Sequence, residues 1–160
     1  MTNEQTLVLA FATAQMNRRV GVRGECWDLA ENALTTSGLA RPGDELYVWG
    51  TLIPLSSAGP GDIIQFDRFE NIIEISSTDG SSSSEDLETG PNHTAIIKTI
   101  GRNAAATVYH QNFQNVRRVK EQVFYLSGST ETTPIGDGDT RTRVITTRGS
   151  YVIYRPNPRR

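Results

Sequence analysis

Three side chains in this sequence have types suited to nucleophilic chemistry: the chain's one cysteine, Cys26, and its only two histidines, His93 and His110. A thiol is mostly protonated at neutral pH, so it needs help to become a nucleophile. A helix N-terminus lowers a thiol pKa through its dipole and its unpaired N–H groups. An imidazole partner then carries the proton. Cys26 falls where a helix is expected to begin, because Glu25, Asp28 and Glu31 enrich its opening turns in acid and the stripe Cys26, Leu29, Ala30, Ala33, Leu34 recurs at helical spacing.

Both histidines fall on one expected β-hairpin, His93–Ile100 and Ala104–Asn112 around Gly101-Arg102-Asn103. A two-residue turn at Gly101-Arg102 sets His93 across from His110. A loop longer by two residues sets it across from Asn112. Strand side chains alternate, so residues 110 and 112 share a face, and either register brings His93, His110 and Asn112 together. The spacing therefore supplies a base and two candidates to orient it. Cys26, His93 and His110 would also suit a zinc ion by type, but their spacing matches no compact ligand motif.

Several segments resemble the CHAP family (cysteine, histidine-dependent amidohydrolases/peptidases) and its NlpC-like relatives. They are Gly24-Glu25-Cys26-Trp27, Gly61-Asp62-Ile63-Ile64-Gln65-Phe66, Asn92-His93-Thr94-Ala95-Ile96-Ile97, Val108-Tyr109-His110-Gln111-Asn112 and Gly149-Ser150-Tyr151-Val152-Ile153-Tyr154-Arg155-Pro156, in that family's order. The resemblance implies Cys26 as nucleophile, His93 as general base, and His110 or Asn112 as the group orienting the ring. It also implies an amide or peptide hydrolase acting on peptidoglycan-like substrates without a cofactor. CHAP sequences often carry Glu where this chain has His110, whereas NlpC-like enzymes commonly use a histidine there. No Gln upstream of Cys26 stands out as an oxyanion donor, which leaves the Cys26 N–H and a second donor without a name.

The rest of the chain must position these residues. Thr2 and Gln5 form a capping-box pattern, predicting a helix from Asn3 to about Asn17 with Leu7, Ala10, Phe11 and Ala14 inward. Arg18 to Gly24 reads as a loop, and the Cys26 helix should end before Ser37-Gly38. Arg41-Pro42-Gly43-Asp44 reads as a turn, and Leu46 to Trp49 is extended at best. Gly59-Pro60-Gly61-Asp62 is a turn feeding a strand at Ile63–Phe66, with another at Ile72–Ile75. Asp62 reads as a turn residue. Residues 76–92, rich in Ser, Gly, Asp and Glu, read as a mobile loop leading into His93. Val119–Leu126 is a strand, and Thr142–Thr147 with Ser150–Tyr154 reads as a hairpin around Arg148-Gly149. Trp27 and Trp49 are weak candidates to line a substrate groove, since aromatics at such positions more often belong to a core.

Helices followed by antiparallel strands define an α+β domain, papain-like in the sense the resemblance implies, with N-terminal helices packed on the sheet. At 160 residues the chain suits one domain. Its net charge of -2 gives no field to gather nucleic acid or membrane, and Arg117, Arg118 and Lys120 read as a solvated face. The run Leu7–Ala14 is too short to span a bilayer and lacks a basic leader, so cytoplasmic residence or delivery without a signal peptide is expected. Two function classes compete: a thiol-dependent hydrolase and a non-catalytic binding module on the same fold.

Overall fold

The computed structural model describes residues 1–159. Helix α1 spans Asn3–Ala14 and is capped as the sequence predicts: the Gln5 N–H donates to Thr2 Oγ1 (3.2 Å) and the Thr2 N–H to Gln5 Oε1 (2.7 Å). It ends short of Asn17, which adopts the left-handed conformation (φ 64). Its buried face is Gln5, Val8 and Ala12, with Phe11 partly buried, rather than Leu7, Ala10 and Ala14. The run from Leu7 to Ala14 is apolar nearly all round, so periodicity alone does not choose a face. Helix α2 spans Cys26–Thr36 and buries Leu29, Ala30, Ala33 and Leu34, as expected.

Eight strands follow: β1 Thr51–Ile53, β2 Ile63–Ser77, β3 Ser82–Glu88, β4 His93–Ile100, β5 Ala105–His110, β6 Lys120–Tyr125, β7 Ser129–Gly136 and β8 Asp139–Arg155. They form one antiparallel sheet in the order β1-β8-β2-β4-β5-β6, with β3 added to β2 and β7 to β8. The long pair β2 and β8 is the spine. One half carries β4, β5 and β6; the other forms a wing with β3 and β7.

Three expectations are corrected. Within residues 76–92, Ser82–Glu88 is a strand on β2 and not a mobile loop. Its side chains are exposed except Leu87, so its order rests on main-chain pairing that composition does not reveal. Arg148-Gly149 is not a hairpin turn. Gly149 (φ 79) lies within β8, opposite a bulge in β2 where Arg68 and Phe69 face this one residue; it sits against the Arg68 carbonyl, which leaves no room for a Cβ. Leu46–Trp49, read as extended at best, forms no strand, and one lies just after it, at β1. Ile63–Phe66 and Ile72–Ile75 belong to the single strand β2.

The sheet buries both faces. Ile63, Ile96, Tyr109 and Tyr154 pack against α1 and α2. The opposite face encloses Ile64, Phe66, Phe69, Ala95, Ile97, Val108, Phe113 and Phe124. That face is covered because the sheet curls until β6 meets β2. The buried Asn71 closes the ring: its amide donates to the Tyr125 carbonyl (2.8 Å) and its oxygen accepts the Tyr125 N–H (2.8 Å). One side chain thereby satisfies two main-chain groups where strand pairing stops.

Candidate active site

Cys26 is the first residue of α2 and is partly buried. The Glu25 N–H donates to Asp28 Oδ2 (3.0 Å), closing the helix start. The sulfur sits against β4 at the point where His93 enters it. Cys26 Sγ donates to the Asn92 carbonyl (3.6 Å), and the Thr94 main-chain N–H faces the sulfur. The thiol thus touches the main chain on both sides of His93.

The His93 side chain alternates with Thr94 along β4. Thr94 and Ile96 face the helices, whereas His93 joins Ala95 and Ile97 inside the curled sheet. There its ring lies 6.3 Å from Phe66 and 5.8 Å from Phe113, centroid to centroid. His93 Nε2 lies 2.9 Å from His110 Nδ1, with the rings edge to face at 80°. That contact occupies one nitrogen of His93 and leaves Nδ1 as the other.

The register explains the pairing. Ala95 is opposite His110, so β4 and β5 take the longer-loop register, helped by Asn103 and Ala104 in left-handed conformations. Asn112 (φ 56) lies past the end of β5, in the left-handed region, and does not meet His93. Its amide donates to Glu25 Oε2 (2.7 Å). Of the two sequence candidates for orienting His93, the structure puts His110 on the ring and Asn112 on the loop before Cys26.

Burial pushes the Cys26 thiol above its ordinary range, and the Glu25 carboxylate adds to the effect. The N–H groups of Thr94, Trp27 and Cys26 pull the other way without overcoming it. This reverses the lowering expected from the helix start alone: desolvation of a thiolate outweighs a few N–H dipoles. Burial also pushes His93 down to about 4 and His110 down to about 3, the latter reinforced by His93. At neutral pH the thiol and both imidazoles therefore rest neutral, the thiol on the helix side of β4 and the two rings inside the curl of the sheet, with no hydrogen bond between the thiol and either ring among the described residues.

Several residues that sequence spacing did not single out hold this arrangement. Gln111 is fully buried and ties the 18–25 loop to β5: Oε1 accepts the Val20 N–H (2.8 Å), and Nε2 donates to the Val20 (2.9 Å) and Glu25 (2.8 Å) carbonyls. Arg117 adds an ion pair to Glu25 Oε1 (2.7 Å) and a bond to the Arg23 carbonyl (2.7 Å). Beneath Cys26, Gln65 Oε1 accepts from Thr94 Oγ1 (2.6 Å) and Trp49 Nε1 (3.0 Å). The one available signal was a buried-strand position occupied by Gln, at 65 and again at 111.

Trp49 is wholly buried, so it belongs to the core and not to a groove. Trp27 packs on it, with centroids 5.9 Å apart, under the Arg41 guanidinium. Asp62 does more than shape its turn: fully buried, it accepts the Gly59 N–H (2.9 Å) and two bonds from Arg155 (3.1 and 2.9 Å). Among the described residues, no group of three or more His, Cys, Asp or Glu is placed to hold a metal ion, and no helix is long and apolar enough to cross a membrane.

A cysteine at the head of a helix, set against a curled antiparallel sheet that carries two histidines, is the layout of a cysteine proteinase fold. The chain belongs to the family described as AIM3/BBC1 cysteine proteinase-fold domain, which matches residues 6–131 and so spans Cys26, His93 and His110. The match supports a papain-like fold and does not extend to the CHAP or NlpC-like branch in particular. No curated protein and no solved structure matches the chain.

Proposed function

We propose that the protein is a thiol-dependent amide or peptide hydrolase with Cys26 as nucleophile, His93 as general base and His110 as the residue that orients His93. The observation that carries this reading is the placement of Cys26 Sγ against the main chain flanking His93, with the ring pinned from behind by His110. In the tautomer where His93 Nε2–H donates to His110 Nδ1, the lone pair of His93 lies on Nδ1. That nitrogen takes the thiol proton as Cys26 attacks the carbonyl. The C–N bond breaks as the proton passes to the leaving amine. Water then attacks the thioester, returning acid to solution and the thiol to Cys26. Because both groups rest neutral, the proton transfer accompanies substrate arrival and is not stored beforehand as an ion pair. A bacterial-wall-type peptide is the substrate class that the CHAP-like segments imply.

A mixture of proteolytic peptides incubated with the protein and read by mass spectrometry tests this. New termini should appear with the wild type and vanish with Cys26→Ala. Identical products from both proteins would refute it.

One observation favours a second reading, a binding module on the same fold. Burial moves the thiol up and the imidazoles down, the reverse of a charged catalytic pair. In that case Cys26-dependent products are absent while the fold and its surfaces persist.

A further inference from the structure

We propose that the surface beside Cys26 built from the 17–23 and 113–120 segments is a docking site for an acidic peptide segment. In sequence these are two unremarkable basic clusters. Folding brings them together: the Asn17 N–H donates to the Val119 carbonyl (2.9 Å), the Val119 N–H to Arg18 (2.9 Å), and Lys120 Nζ to Asn17 Oδ1 (2.6 Å). Arg18, Arg19, Arg23, Arg117, Arg118 and Lys120 are all exposed on this face. Among the described residues, only Arg117 has a carboxylate partner there, Glu25. Arg23 also attracts that Glu25 carboxylate, and among the described residues Arg18, Arg19, Arg118 and Lys120 form no ion pair, in a chain whose net charge is -2. Asn17, Arg18, Arg19, Arg117 and Arg118 line a depression of about 430 Å³.

The form of this surface selects among polyanions. A chain of net negative charge offers no long-range attraction to a membrane or nucleic acid, so recognition must be local, within a Debye length of about 8 Å. The cations rim a depression, which suits a few carboxylates on one extended segment. Exposed apolar side chains stand among them, Val22 (88% exposed) and Val116 (43%). Phosphates have no use for such contacts; a peptide has. A second, smaller depression of about 130 Å³ continues from Arg118 and Lys120 past Val116 and Phe113 to His110; its one carboxylate, Glu121, is paired with Lys98. A segment held by the arginines is thereby led toward the histidine pair. Docking deepens the hydrolase reading by naming an acidic substrate, yet binding itself needs no turnover.

The test is fluorescence anisotropy with a labelled oligoglutamate peptide, a neutral Gly/Ser peptide as control, and vesicles containing phosphatidylserine. The acidic peptide should bind, weaken as salt rises, and lose about tenfold or more in affinity with Arg18→Glu/Arg118→Glu, whose far-UV spectrum should match the wild type. Cys26→Ala should bind undiminished, so failure here and failure of the hydrolase reading are separable. Equal affinity for acidic and neutral peptides, or an unchanged affinity in the charge-reversed variant, would overturn the proposal. So would binding to the vesicles without binding to the peptide.

Discussion

His93 Nε2 and His110 Nδ1 lie 2.9 Å apart inside the curl of the sheet, where aromatic neighbours exclude water from both rings. A neutral pair is the consequence, because a charge on either imidazole would have to survive without hydration. The relationship orients His93 and at the same time makes the fold sensitive to acid.

Acid sensitivity follows with a definite sign. Both folded values, about 4 for His93 and about 3 for His110, lie below the ordinary 6.5. The unfolded chain therefore binds more protons across that interval. Stability is complete above 6.5 and declines as pH falls toward 4, by about 1.4 kcal/mol per pH unit for each histidine. Urea unfolding at a series of pH values should show this slope, and His93→Phe/His110→Phe should flatten it. An equal slope in both proteins would remove the pair as its cause.

Gln111 makes the most exacting demand on the loop that presents Cys26. Its three bonds satisfy main-chain groups of Val20 and Glu25. Gln111→Leu strands them and should cost about 2–6 kcal/mol, at roughly 1–3 kcal/mol for each of the two buried Val20 groups left unpaired. Denaturant midpoints with an unchanged m-value will register it. A loss below the resolution of such a titration would mean the loop is held by other contacts.

Arg155 joins the final strand to the turn before β2 through the buried Asp62. Arg155→Ala leaves that carboxylate buried without its cation. The expected cost is about 2–4 kcal/mol, less than for a wholly buried pair because Arg155 is partly exposed. Thermal unfolding of the variant measures it.

Cys26 itself should alkylate slowly. With the thiol pushed above its ordinary range by burial, reaction with iodoacetamide at neutral pH should be slower than for free cysteine and rise steadily through alkaline pH. A fast, pH-independent rate near neutrality would show an ion pair and contradict the neutral resting state.

Much of this was legible in the residues. The helix at Cys26 could be read from Glu25, Asp28 and the Leu29–Leu34 stripe, because acidic first turns and helical spacing are local signals. The meeting of His93 and His110 could be read from strand alternation, which survives a change of register. The choice between His110 and Asn112 could not: it turned on the left-handed residues Asn103, Ala104 and Asn112, whose conformations no spacing rule specifies. Ser82–Glu88 hid its strand because its side chains bury nothing but Leu87. Gly149 looked like a turn because a strand position facing a bulge can demand the same positive φ that a turn does. The thiol's upward shift was invisible, since burial is a tertiary quantity. Likewise, the cationic face formed only when residues about a hundred positions apart came together.

In the proposed hydrolase, Cys26 and His93 act on one carbonyl. Mixing with p-nitrophenyl acetate tests it through the burst of nitrophenol and the mass of the protein. The wild type should release about one equivalent rapidly, carry an acetyl group on Cys26, and then turn over. His93→Ala should acylate about 10²–10⁴-fold more slowly. Acylation of Cys26 at the same rate in both proteins would contradict a shared site and leave the thiol a bystander.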